Sequence, residues 1–241
     1  PEDITIGCGE LEDAPIITAF DNCDDAIEVV FTEETLGEDT GCNLEYDVIR
    51  TWTATDCSGN VNTATQVISI VDETLPEWDV EIEEFVIVEC SDVPDPSLVT
   101  ASDDCDAEVT VVFDEEFIPS SCPSRYTLIR TWTASDDCGN SITATQTLSV
   151  VDTTEPEWVG ELPPSNITVT SCDDIPEAPV LQAVDNCDGE TFVVFNEFYS
   201  PAGGCGDVCE CGGIVVRTWI TSDCVGNLAT FVQYYNVLSQ E

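Results

Sequence analysis

Carboxylates dominate the reactive side chains of this chain. Of 241 residues, 50 are Asp or Glu, against four arginines, no lysine and no histidine, for a formal charge of −46. An Asp-rich loop built around a cysteine occurs three times: Asp21-Asn22-Cys23-Asp24-Asp25, Asp103-Asp104-Cys105-Asp106 and Asp185-Asn186-Cys187-Asp188. The chemistry open to such oxygen clusters is the binding of a hard cation, and calcium suits them because it takes six to eight oxygens in flexible geometry. The plainer alternative is solvated loop acids, since turns favour Asp and Asn for backbone reasons. No single loop has EF-hand spacing. Catalysis is poorly supplied. Without His or Lys there is no ordinary base for a nucleophile and no Schiff-base amine. Carboxylate pairs do acid–base work in glycosidases, but no pair here is singled out by spacing. There is no phosphate-cradling Gly loop and no Cys–His pairing. No enzyme is expected.

The same charge excludes nucleic acid as a partner, because phosphate contacts need cations, and it excludes docking on an anionic bilayer. Such a chain is either strongly solvated and self-repelling or holds divalent cations. Salt adaptation, with folding that needs molar salt, is a third account, and the cysteine content argues against it. No apolar run approaches transmembrane length. The 14 cysteines fall as four, four and six: Cys8, Cys23, Cys42, Cys57; then Cys90, Cys105, Cys122, Cys138; then Cys172, Cys187, Cys205, Cys209, Cys211, Cys224. Even counts without histidine favour disulfides over zinc, and the paired spacing of a four-thiolate zinc site is missing. The protein is expected outside the cell or on its surface.

The elements that position these residues also repeat. Arg50-Thr51-Trp52-Thr53-Ala54-Thr55-Asp56-Cys57-Ser58-Gly59-Asn60 returns as Arg130 to Asn140 and, less faithfully, as Arg217 to Asn227. A period of about eighty residues is one small domain. Arg, Trp and Ala alternate with β-formers, predicting a strand with one buried face. The Asp, Cys and Gly-Asn that follow predict a turn into a second strand, Thr63 to Val71 in the first copy. Further strands are expected at Ile4–Cys8, Ile16–Phe20 and Ile27–Glu33, then at Val109–Glu115 and Thr191–Glu197, with a loop from Glu34 to Asn43. No stretch has sustained helical periodicity, so the class is all-β. Cores of this size are modest and lean on covalent staples.

Two matching linkers, Val71 to Trp78 and Val151 to Trp158, are short, carry one Pro each and should be stiff. The opening Pro1-Glu2 reads as the middle of another such linker, so at least one more module is expected upstream; with no initiator Met and no signal peptide, the sequence reads as a mature product or an excerpt from a longer chain. Trp52, Trp132 and Trp219 are expected in the core. Trp78 and Trp158 are expected to pack at junctions; stacking on sugar is the rival role for exposed aromatics. Arg50, Arg130 and Arg217 lie two residues before a Trp, and Glu33, Glu115 and Glu197 lie two residues after a Phe. They predict a partly buried Arg–Glu pair in each copy, which fixes geometry more than it stabilises.

Asp-Asn-Cys-Asp, then Ile-Arg-Thr-Trp-Thr-Ala-Thr-Asp-x-Cys-Gly-Asn, then Thr-Ala-Thr-Gln and Val-Asp-x-Thr-x-Pro resemble HYR-like repeats. These are immunoglobulin-like modules of long bacterial cell-surface proteins, including gliding-motility adhesins of the SprB type. The resemblance covers essentially the whole chain and loosens in the third copy, at the Gly/Cys-rich insert 201–213 and at Ile220. It implies a tandem array of three disulfide-stapled immunoglobulin-like β-sandwich modules at 1–75, 76–155 and 156–241. It further implies a structural or adhesive segment of an extracellular surface filament, a stiff multivalent rod whose partners are neighbouring repeats or subunits. The alternative is a carbohydrate-binding module array with surface glycans as partners.

Following the immunoglobulin-like chain path, Cys8 and Cys42 lie at the lower end of the first module and Cys23 and Cys57 at the upper. The expected bonds are Cys8–Cys42, Cys23–Cys57, Cys90–Cys122, Cys105–Cys138, Cys172–Cys209, Cys187–Cys224 and Cys205–Cys211. The same path gathers Asp72, Glu73, Asp103, Asp104, Asp106, Asp136 and Asp137 around the first junction. Around the second it gathers Asp152, Asp185, Asn186, Asp188 and Asp223. Calcium is the candidate cofactor there. Modules of five or six strands leave unpaired sheet edges that are blunted by charge, which limits lateral contacts and favours a longer polymer of covalent repeats or of subunits joined end to end, with strand donation as the lesser route.

Overall fold

A computed structural model describes residues 1–22, 27–37, 42, 45–204 and 208–239. Its strands are β1 (Ile4–Gly7), β2 (Glu28–Leu36), β3 (Tyr46–Thr55) and β4 (Val61–Val71), here repeat 1. Repeat 2 holds β5 (Glu77–Trp78), β6 (Phe85–Glu89), β7 (Ala101–Ser102), β8 (Thr110–Pro119), β9 (Tyr126–Ser135) and β10 (Ser141–Val151). Repeat 3 holds β11 (Glu157–Trp158), β12 (Asn166–Val169), β13 (Ala183–Asp185), β14 (Gly189–Pro201), β15 (Gly213–Ser222) and β16 (Leu228–Val237), with a single helical turn, α1 (Val208–Cys211). The chain is all-β, with sandwich-like sheets.

Each repeat is an antiparallel meander with its first long strand added in parallel. The orders are β1-β4-β3-β2, β6-β10-β9-β8 and β11-β13-β14-β15-β16-β12, and β5 pairs with β7 separately. By compactness the chain divides into two units. One comprises Pro1–Glu83, Pro96–Asp114 and Arg130–Thr145; the other comprises Glu84–Asp95, Glu115–Ile129 and Gln146–Glu241.

The Trp strands follow their period-two pattern. Val48, Arg50 and Trp52 alternate as buried residues along β3, and Trp132 and Trp219 are buried in β9 and β15. A Phe lies tilted against each Trp, at 5.3 Å for Phe31–Trp52 and 5.0 Å for Phe195–Trp219. Arg50 pairs with Glu33 across β2 and β3 at 2.8 Å, and Arg217 pairs with Glu197 across β14 and β15. Their second nitrogens donate to the carbonyls of Glu12 and Pro176, which ties the loop after the first strand to the sheet. Burial pushes the Glu197 carboxyl up, but hydrogen bonds from Tyr199 and Arg217 outweigh it and hold it below the usual glutamate range.

The hairpin turn is closed by its Asp. Asp56 accepts from the Ser58 and Asn60 amides and from the Asn60 side chain, and Gly59 takes a φ of 85° that a side chain disfavours. Asp136–Asn140 and Asp223–Asn227 repeat the arrangement.

One expected strand is absent. Residues 16–20 are not in a strand, whereas the matching segments of repeats 2 and 3 are β7 and β13. Those two pair with β5 and β11, which arrive from the preceding linker. An isolated extended segment gains no ladder hydrogen bonds, so Ile16 and Phe20 stay exposed. The loop expected at Glu34–Asn43 starts later, because β2 runs to Leu36.

Candidate cation sites and staples at the repeat junctions

The lower end of a repeat, where its first long strand ends and its Trp strand begins, is where the linker leaves for the next repeat. Four disulfides join lower ends to the upper ends that follow: Cys8–Cys105 and Cys42–Cys138, then Cys90–Cys187 and Cys122–Cys224. These replace the expected bonds Cys8–Cys42, Cys105–Cys138, Cys90–Cys122 and Cys187–Cys224. An even count in each repeat suggests closure within it. The linker instead brings the next repeat's Asp-rich loop and hairpin turn to the lower cysteines. Cys172–Cys209 forms as the sequence offset predicts. Cys211 is disulfide-bonded. Cys23 and Cys205 lie outside the described residues, so the expected bonds Cys23–Cys57 and Cys205–Cys211 do too.

Beside these bonds stand carboxylates with bare oxygens. At the first junction Asp72 is 4% exposed. Its Oδ1 accepts from the Thr74 amide and hydroxyl, and its Oδ2 is buried without a hydrogen-bond partner. Asp103 Oδ1 accepts from the Cys105 and Asp106 amides, and its Oδ2 is likewise bare. Thr74 Oγ1 bridges the two residues, donating to Asp103 at 3.2 Å.

The second junction repeats this with Asp152 and Asp185. Asp152 Oδ1 faces the Thr154 amide and Asp185 Oδ1 accepts from the Cys187 and Asp188 amides, while both Oδ2 atoms are buried and bare. Oxygens of Asp152, Asp185 and Asp188 lie within 4.8 Å of one another. Burial pushes the Asp152 carboxyl above its usual range; the Thr154 amide and the Ser124 hydroxyl oppose this, and the charges of Asp185 and Asp223 add to it. Buried carboxylates without partners are costly unless neutralised. The donor set is all oxygen, which fits a hard divalent cation such as calcium and not a thiophilic one. The neighbouring sulfurs are oxidised and are not ligands.

Other predicted residues have different tasks. Asp136 and Asp223 spend their oxygens closing the hairpin turns. Asp106 accepts from the Glu108 and Asp137 amides, so it ties the Asp-rich loop to the turn. Glu73, Asp104, Asp137 and Asn186 are exposed. Trp78 and Trp158 are half-buried in β5 and β11, at the junctions.

Glu89 was not legible. Its carboxylate lies within 4.8 Å of an Asp152 oxygen and accepts from the Thr153 amide and hydroxyl. The matching residue of repeat 1 is Gly7, so no repeating signal marks it. No described helix is long and apolar enough to cross a membrane.

No curated protein matches the chain in sequence. Among solved structures, Drosophila N-cadherin EC1-4 is similar at 14% identity and a TM-score of 0.31, over 99% of this chain and 73% of that one. Mouse Cadherin-23 EC22-24 is similar at 10% identity and a TM-score of 0.38, over 99% and 96%. The protocadherin GammaB4 extracellular domain is similar at 13% identity and a TM-score of 0.36, over 98% of this chain and 48% of its own. Residues 1–70, spanning all of β1 to β3 and nearly all of β4, match the family of the HYR-like domain with 4 cysteines.

Proposed function

We propose that this chain is a structural, adhesive segment of an extracellular surface filament or adhesin. In this reading modules at 1–75, 76–155 and 156–241 form a stiff rod for multivalent display, of the kind found on bacterial surfaces, with no catalytic role. The observation that carries the reading is the pair of disulfides crossing each junction. Two covalent crossings beside one short linker oppose bending and twisting where a single linker would not. Pro76 and Pro156 are buried within those linkers, which stiffens them further.

Calcium completes the reading. Asp72 with Asp103, and Asp152 with Asp185 and Asp188, would hold one ion at each junction through their bare oxygens. The ion supplies positive charge to carboxylates that otherwise repel each other. Thr74 and Thr154 orient the linker Asp, and backbone amides orient the loop Asp.

The test is thermal unfolding and solution scattering in millimolar calcium, with chelator, and with chelator plus reductant. The expected result is a lower Tm on chelation and a broader distribution of dimensions once the disulfides are also reduced. An unchanged Tm and maximum dimension on chelation would remove the ions from the reading. Unchanged dimensions after reduction would remove the staples.

A further inference from the structure

The upper ends of repeats 2 and 3 are each completed by a linker of the form Asp-x-x-x-Pro-Glu-Trp, residues 72–78 and 152–158. The contact has three parts in both. The Glu-Trp pair forms a two-residue antiparallel ladder, Glu77 and Trp78 on Ser102 and Ala101, and Glu157 and Trp158 on Val184 and Ala183. The next amide extends it, from Asp79 to the Thr100 carbonyl and from Val159 to the Gln182 carbonyl. The turn asparagine holds the other end of the linker: Asn140 donates to the Asp72 carbonyl and Asn227 to the Asp152 carbonyl. Between these anchors the linker proline is buried.

Repeat 1 has the receiving parts of this contact. Thr18-Ala19-Phe20 stands where Thr100-Ala101-Ser102 and Gln182-Ala183-Val184 stand, and Asn60 stands where Asn140 and Asn227 stand. Among the described residues its upper end is open. Ala54 is partly exposed, whereas Ala134 and Thr221 at the same place are 0% and 1% exposed. Asp56 is partly exposed, whereas Asp136 and Asp223 are buried. Phe20 is 96% exposed. A groove of about 320 Å³ runs beneath it, lined by Ile17, Ala19, Trp52, Ala54 and Ala64 among others.

We propose that this groove is an acceptor for the Asp-x-x-x-Pro-Glu-Trp linker of a further HYR-like repeat. The Glu-Trp pair adds a strand along Thr18–Phe20, the proline enters the groove over Ala54, and the Asn60 amide takes the linker carbonyl. Between the anchors the two linkers share only the Thr that orients the Asp, Thr74 and Thr154, while Glu73 and Leu75 are replaced by Thr153 and Glu155. Recognition is therefore by backbone pairing and one apolar insertion, a β-addition. The inference rests on the repeat-array reading. Its readout is local to residues 18–20, so it fails separately from the chelation and reduction tests.

The experiment places a second copy of residues 72–82 directly ahead of Pro1 and follows hydrogen exchange at Thr18–Phe20 together with Tm. Tethering keeps the donor at an effective concentration of about millimolar. The expected result is exchange slowed at least about tenfold at residues 18–20 and a higher Tm. Both gains should vanish when the added copy carries Trp78→Ala or Pro76→Arg, and when the acceptor carries Ala54→Arg with its fold verified by tryptophan fluorescence. Equal exchange with and without the added copy overturns the proposal. So does a gain that survives Ala54→Arg. A chain that is already dimeric and protected at residues 18–20 without the added copy, and becomes monomeric with Ala54→Arg, overturns the assigned occupant in favour of a second copy.

Discussion

In repeat 1, Cys8 and Cys42 leave the lower end to bond Cys105 and Cys138 of the next repeat; in repeat 3, Cys172 and Cys209 hold the same places and are bonded to each other. The difference comes from the insert 201–213. Its helical turn α1 brings Cys209 back to Cys172 and buries Val208 at 2% exposure. Among the described residues the lower core of repeat 3 accordingly gathers Val169, Val208, Val215, Tyr235 and Val237, and that of repeat 1 gathers Val48, Ile68 and Ile70. Repeat 3 covers its own lower end, and repeat 1 has its lower end covered by a neighbour. The same two cysteines serve either as a joint or as a closure, and thirteen inserted-region residues decide which.

Breaking the staples should give the largest effect. Replacing Cys42 and Cys138 by Ser removes a link across 96 residues, worth about 5 kcal/mol by loop entropy, and replacing Cys172 and Cys209 removes one across 37, worth about 4 kcal/mol. Denaturant unfolding measures both. Scattering should separate them, since only the junction pair changes the maximum dimension. Peptide mapping of the unreduced chain should recover Cys8 joined to Cys105; recovery of Cys8 joined to Cys42 would reverse the contrast.

A single glycine sharpens the closure. Gly213 has φ 147°, and a Cβ there would stand 2.3 Å from the Ser200 carbonyl oxygen and 2.7 Å from Val208. Gly213→Ala should cost about 3 kcal/mol. Gly139 also has positive φ, 94°, but faces open space, so Gly139→Ala should cost only about 1 kcal/mol. Equal losses in the two variants would show that the insert does not hold repeat 3 closed.

The two junctions should also differ in cation affinity. Glu89 adds a carboxylate beside Asp152, and the first junction has Gly7 at that place. Calorimetric titration with calcium should resolve a tighter and a weaker site, with Glu89→Gln bringing the two within about threefold. In chelator, Asp152→Asn should raise Tm by removing a buried charge that stands beside the carboxylate of Asp185. In calcium, the same change should lower Tm, with a loss of stability of about 1–2 kcal/mol.

The smallest effect is acid sensitivity of the Arg217–Glu197 pair. Glu197 has a lowered folded pKa, so its contribution is present above the ordinary glutamate range and is lost as pH falls through the lowered value. Glu197→Gln should destabilise repeat 3 by no more than about 1 kcal/mol at pH 7. The difference from the unaltered chain should close as the pH is taken down through the lowered Glu197 value.

What the sequence determined by itself is what short-range physics controls. Period-two alternation placed β3, β9 and β15, and the spacing from Arg50 to Trp52 put both on the buried face. The Asp-x-x-Gly-Asn chemistry placed the turns, and Glu33 and Glu197 were legible as arginine partners through strand register. The Asp-rich loops were legible as oxygen clusters, because their repetition does not depend on how the repeats stack. Tertiary structure alone decided the rest. Cys8 and Cys42 are close to their own lower end in sequence, yet their partners stand 97 and 96 residues on, in a loop and a turn delivered by the next repeat. Spacing alone cannot choose among such pairings. Residues 16–20 have a strand's composition, but a strand needs a ladder partner, and β7 and β13 obtain theirs from a linker. Which carboxylates present bare oxygens was also beyond the sequence. Asp136 and Asp72 look alike there, and only the folded hydrogen-bond network consumes both oxygens of the first while leaving one of the second bare.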